Sequence, residues 1–402
     1  MNGLLSGIRI LDITRMLAGP YGTMLLGDLG AEVLKIEDHL GDYTRYGSSS
    51  TPGAPGNYFL SVNRNKKSVV LDLRLPQGRE IFYELVKISD VVIDNMRPQA
   101  LQRLKCGFDD LKPFNPRIIS CSISGYGQNG PYRDRPAFDL TVQALSGAMG
   151  LTGEPGGAPV RMGLPIGDVA GGMFAVIGIL SALQERQRTG LGRKVDISLL
   201  DCLISMSSYL VGHFFATGLD PGPQGSRHEL VVPYEAYPAK DRWLVVTCVT
   251  PKFWEGLCRA LDLEALITDP RFLDGTKRRE NYLELQSILR EAFQKKTVQE
   301  WLQLLEKEEV PCAPVNTLAQ ALNDPQVIHR HMVVDVPHPT WGEIRLAGNP
   351  VKVPGIEESF TAPPELGVHT REVLKDLLGY SDARIQQLEN DKIIGLYKEA
   401  DQ

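Results

Sequence analysis

"IRILDITRMLAGPYGTMLLGDLGAEVLKIE", residues 8–37, decides the fold. "IRILDIT" is an apolar run of strand length. "PYGTMLLGDLG" reads as a short helix, and "AEVLKIE" as a second strand. Strand, helix and strand in so few residues make a βαβ unit, which places the two strands parallel and side by side. The pattern recurs in "KSVVLDL" (67–73), the helix "QGREIFYELVKI" (77–88) and the strand "DVVIDN" (90–95), and "PRIISCSISGYG" (116–127) adds another buried strand. The fold class is therefore α/β, a mostly parallel sheet covered on both faces.

Further along, a long helix follows Asp168, runs to Leu183 and stops at "QERQRTG", with a basic last turn and Gly190. "RKVDISLLD" is a further strand and "CLISMSSYLVGHFFATG" a buried helix. "LDPGPQGS" (219–226) is linker sequence. Beyond it, "YEAYPAKDRWLVVTCV" predicts an antiparallel hairpin. Three amphipathic helices follow, around Phe253–Leu261, Arg279–Lys295 and Val298–Glu308. Three regions result: residues 1–218, the main part of a large Rossmann-like domain; 219–325, linker and small α+β domain; and 326–402, a tail returning to the large domain.

Composition narrows the function. Hydrophobic residues are 43% and charged residues 23% of 402, ordinary for a globular enzyme. No apolar run reaches the roughly 18 residues that span a bilayer, and no leader is recognisable, so the expected location is cytoplasmic. The six scattered cysteines form neither a metal pattern nor a disulfide framework. A net charge of −6 argues against nucleic acid as partner.

The first βα turn, "RMLAGPYG", is not the G-x-G-x-x-G of dinucleotide binders, and neither a P-loop nor G-x-S-x-G occurs. What remains is "GLPIGDVAGG" (163–172). Asp168 fits two roles there: an N-cap for the helix it precedes, or an ionised carboxylate held by backbone N–H groups and able to attack an acyl group. Gly167, Gly171 and Gly172 would let substrate come close. A cationic cluster (Arg64, Lys66, Lys67, Arg74, Arg97, Arg103, Lys105) fits either a solvated face or a phosphate site. The loop "GYGQNGPYRDRPAFD" (125–139) follows a buried strand and suits a segment over a site.

Several of these stretches, in order, resemble the class III coenzyme A transferases (the CaiB/BaiF type). They are "LDITRMLAGPYGTMLLGDLGAEVLKIE", "SVNRNKKSVVLDL", "DNMRP", "SISGYGQNGPY", "GDVAGG", "EVPCAPVN" and "LGYSDARIQQL". The resemblance runs from about residue 5 to residue 395. It implies two chains threaded as interlocked rings, a homodimer. It also implies a CoA-transferase that works through an aspartyl-CoA thioester on Asp168, with CoA thioesters as substrates and no permanently bound cofactor or metal. Met16, Leu71, Arg74, Asn95, Arg97 and Arg103 match CoA-contacting positions, and Asp139 matches an acidic position near the reacting centre. The related racemases use a histidine that would fall at Phe138, and phenylalanine exchanges no proton. The glycine-rich lid of the formyl-CoA enzyme is missing. A larger acid is therefore expected, with succinyl-CoA as donor and a dicarboxylate as acceptor. Arg227 and His228 would face its remote carboxylate, or else lie in solvent at the linker's end.

Overall fold

Ile10 and Leu11 are neighbours in the chain and both fully buried, one on each face of a sheet. That alternation continues through the computed structural model, which describes residues 3–46 and 56–397. The first six strands are β1 (Arg9–Asp12), β2 (Glu32–Glu37), β3 (Lys66–Leu71), β4 (Val91–Asp94), β5 (Ile119–Ser124) and β6 (Lys194–Ser198). They pair in parallel in the order 3-2-1-4-5-6, the doubly wound arrangement. One face packs Leu11, Leu34, Val69 and Val92 against Phe82 and Leu85 of the helix Pro76–Lys87. The other packs Ile10, Val33, Val91 and Ile119 against Leu26, Ala175 and Ile179 of the helices Ala18–Asp28 and Ile166–Thr189.

The chain divides into two units. The first comprises residues 1–148, 161–211 and 329–402, and the second 149–160 and 212–328. The second unit holds the antiparallel strands β7 (Tyr234–Pro238), β8 (Trp243–Thr247) and β9 (Cys312–Pro314). Its helices Pro251–Ala260, Tyr282–Phe293 and Val298–Lys307 close over a core containing Trp254, Phe272, Phe293 and Trp301. In the first unit, β10 (Val333–His338) and β11 (Gly342–Ala347) form a separate hairpin. The last strand, β12 (Ile394–Gly395), joins the large sheet antiparallel to β3, with Ile394 opposite Leu71. The architecture is thus mixed α/β with a seven-stranded, mostly parallel sheet.

Two helices differ from expectation. The helix at "GLPIGDVAGG" begins at Ile166, so its 24 residues are long and apolar enough to cross a membrane. Here it packs against β5, β6 and the helix Ala18–Asp28, as a core helix does. The expected single buried helix near 202–218 is two, Leu199–Met206 and Ser208–Thr217, bent by 70°. Ser208 takes a left-handed φ of 45°, which breaks the run, and the second piece buries none of its residues.

Candidate active site

Asp168 is not the N-cap. Pro165 holds that position, and Asp168 is the third residue of the first turn. The capping work is done from outside the helix by Asp139. Its Oδ1 accepts the N–H groups of Gly167 (2.8 Å) and Asp168 (3.4 Å), and its Oδ2 accepts from Gln143 Nε2 at 2.7 Å. The backbone donors expected to steady Asp168 are therefore spent on its neighbour. Among the described residues nothing in the protein donates to the Asp168 carboxylate. Burial, and then the charge of Asp139, push its pKa up to about 6.

The glycines around Asp168 do not clear a path for substrate. A Cβ on Gly167 would lie 2.9 Å from Val142 Cγ2, one on Gly171 2.3 Å from Leu199 Cδ2, and one on Gly172 2.6 Å from the carbonyl oxygen of Ala18. They let helices touch, which fixes where the first turn sits. The approach to Asp168 is instead a cavity of about 630 Å³, walled by Leu17, Tyr58, Ser124, Phe138, Asp139 and Arg161 among others. Ser124 Oγ is buried and has no hydrogen-bond partner among the described residues. Burial and then the nearby carboxylates, Asp168 first, push the Tyr58 hydroxyl up to about 12, so it is a standing donor. Tyr58 and Arg161 gave no signal in the sequence. One belongs to an apolar helix and the other to a turn, and only the fold carries them to Asp168.

Met16 and Asn95 also wall a second cavity, of about 390 Å³, with Leu71, Leu104 and Arg74. Both cavities open at the carboxyl ends of β1 and β4, the Arg74 cavity also at that of β3 and the Asp168 cavity also at that of β5, where doubly wound sheets gather ligands. Arg74 reaches this rim while its guanidinium grips Asp72 through two bonds, at 2.8 and 2.7 Å. Arg97 and Arg103 are exposed at the two ends of the helix Pro98–Leu104 and are not part of either wall. Arg64 and Lys66 belong to neither a solvated face nor a phosphate site. Both are buried in ion pairs, with Asp28 (2.7 Å) and Asp12 (3.1 Å) respectively. Lys67 pairs with Glu32 and Glu372.

The turn after β1 is held from beneath. Met16 has a left-handed φ of 68°, costly for a residue with a side chain. Asp42 Oδ1 accepts its N–H at 3.3 Å, and Asn95 bonds both polar backbone groups of Arg15. Lys35 Nζ donates to Thr14 O (2.9 Å) and Asp42 Oδ2 (3.1 Å). Burial would raise the Asp12 carboxyl, but Lys66, Lys35 and the hydroxyls of Thr14 and Thr23 hold it well below the usual carboxylate range. A buried, fully paired network of this kind fixes geometry.

Arg227 and His228 lie in the second unit. Arg227 stacks 4.4 Å from the Tyr282 ring centre and lines a cavity there with Arg279 and Arg290. His228 Nδ1 accepts the N–H groups of Leu230 and Val231, so that nitrogen is occupied. Among the described residues no three His, Cys, Asp or Glu side chains converge as a metal ion would require.

Comparison with known proteins identifies the family. A model described as CoA-transferase family III matches residues 5–370. Human succinyl-CoA:glutarate CoA-transferase is 38% identical over 386 residues, 96% of this chain and 88% of that protein. Acetyl-CoA:oxalate CoA-transferase of Acetobacter aceti is 37% identical over 90% of this chain and 92% of its own length. The crystal structure of a CAIB/BAIF family protein from Brucella suis superposes with a TM-score of 0.85 at 32% identity, covering 94% of this chain and all of that one.

Proposed function

Because the chain belongs to CoA-transferase family III and transfers CoA, we propose that it moves CoA from an acyl-CoA to a dicarboxylic acid by way of Asp168. The observation that carries this reading is a half-buried carboxylate with no donor of its own, facing a cavity that shares walls with the one at Arg74. A carboxylate that no protein donor holds is a better nucleophile than one tied up in hydrogen bonds.

Each step balances. An Asp168 oxygen adds to the thioester carbonyl, the C–S bond breaks, and CoA leaves as thiolate, giving a mixed anhydride. The thiolate then attacks Asp168 Cγ and expels the donor acid, leaving an aspartyl-CoA thioester. The acceptor carboxylate attacks that carbon and displaces the thiolate, giving a second mixed anhydride; the thiolate then attacks the acceptor's acyl carbon, its bond to oxygen breaks, and the Asp168 carboxylate is released unchanged. No proton is gained or lost. The transient oxyanions need donors. Since Gly167 and Asp168 N–H are engaged, the Tyr58 hydroxyl, whose side chain lines the cavity, is assigned that work. Arg74, with Arg15 in the same wall, suits the nucleotide phosphates of CoA.

The diacid preference is supported by the two relatives above, whose named acceptors, glutarate and oxalate, are both diacids. We further infer a homodimer of interlocked chains. In the first unit the apolar side chains of Ile177, Leu191, Ile204, Met206 and Tyr209 are exposed, and a partner chain would cover them. In the deciding experiment, Asp168→Ala is expected to abolish turnover while keeping CoA binding. Hydroxylamine should trap a modified peptide containing residue 168 in the unsubstituted protein alone. Residual turnover near the unsubstituted rate in Asp168→Ala would sink the covalent role.

A further inference from the structure

The cavity at Asp168 has an unbalanced charge. Two carboxylates, Asp139 and Asp168, face it, and Arg161 is the one cation among its lining residues. Arg161 makes no ion pair among the described residues. Its guanidinium only reaches back to the carbonyls of Met162 (3.3 Å) and Gly163 (3.4 Å), long bonds to neutral acceptors in its own turn. The turn itself is fixed, because Met162 N–H is held at 2.9 Å by Gln143, whose other end holds Asp139. One connected set of bonds therefore sets both the acid that flanks Asp168 and the segment that carries the cation.

We infer that Arg161 is the specificity residue for the remote carboxylate of a diacid whose other end reacts at Asp168. This rests on the proposed role of Asp168. A diacid entering the cavity brings a second negative charge toward two carboxylates already there, and a planar guanidinium can take that charge with two parallel bonds. A monoacid of equal length offers it nothing. Donor and acceptor acyl groups occupy the same place in turn, so one arginine reads both. The far end of succinyl-CoA and that of the accepting diacid meet the same side chain.

The test compares chain-matched acids. With acetyl-CoA as donor, Arg161→Ala should raise KM for glutarate about ten- to hundred-fold, the loss of a charged hydrogen-bonded contact. KM for valerate, the monoacid of the same length, should stay within about two-fold. Arg161→Lys should recover part of the glutarate loss. Succinyl-CoA as donor should suffer the same factor as glutarate as acceptor, and acetyl-CoA none. Equal changes for glutarate and valerate, or a loss confined to the acceptor half, would overturn the assignment. The hydroxylamine-trapped adduct on residue 168, formed from acetyl-CoA in Arg161→Ala, separates the two readings. Its presence leaves Asp168 standing whichever way the acids divide.

Discussion

Asp168 and Asp139 divide between them what one residue was expected to do. Asp139 takes the N–H groups of the helix's first turn and stays with them, while Asp168 keeps its oxygens free and bears the cost as a raised pKa. The sign of the pH dependence follows. Attack needs the ionised form, so kcat/KM should fall as pH drops below about 6 and level off above it. Asp139→Asn removes the like charge while leaving an oxygen to accept the N–H groups. Its acid limb should shift to lower pH, read from kcat/KM between pH 4.5 and 8; an unmoved limb would refute the coupling. At this scale the sequence was half legible. The position of Asp168 stood out among its glycines and small residues. The bond from Asp139, some thirty residues earlier in the chain, leaves no local trace. Nor does the burial of Lys66 and Arg64, which as letters look like any surface cation.

At the scale of elements, the site depends on one crossing. Gly172 of the helix Ile166–Thr189 meets Gly22 of the helix Ala18–Asp28 backbone to backbone, and a Cβ on either would sit within 3 Å of the other helix. Asp168 lies one turn before Gly172, and Leu17, just ahead of the second helix, lines the cavity. Gly172→Ala forces the helices apart, with an expected stability cost of about 1–3 kcal/mol in urea unfolding. Turnover should drop by more than the unfolded fraction explains, because Asp168 and the Met16 turn move apart together. An unchanged urea midpoint would contradict the crossing. The strands β1 to β5 are legible in the sequence, since buried apolar runs bounded by turns mark them, whereas β9 and β12, of three and two residues, are too short to leave such a run. The bend at Ser208 was missed because "MSSYL" carries no proline or glycine to announce it.

For the whole molecule, the doubly wound order explains why segments so distant in sequence meet: the ends of β1, β3, β4 and β5 all arrive at one rim. The excursion of 149–160 into the second unit was not legible, as "TGEPGGAP" is turn-forming sequence wherever it lies. The exposed apolar side chains of the first unit predict a partner. Light scattering on the purified chain should give twice the monomer mass at micromolar concentration and above, and Ile204→Asp with Tyr209→Asp should lower it. A monomer under those conditions would remove the dimer from the scheme.

The pairing of Ile394 with Leu71 has a consequence for biosynthesis. A ribosome delivers β12 long after β3, so the edge of the nascent sheet stays open over that whole interval. Meanwhile the second unit, encoded wholly inside that interval, is free to mature on its own schedule. Chaperone dependence during synthesis should centre on that unfinished border.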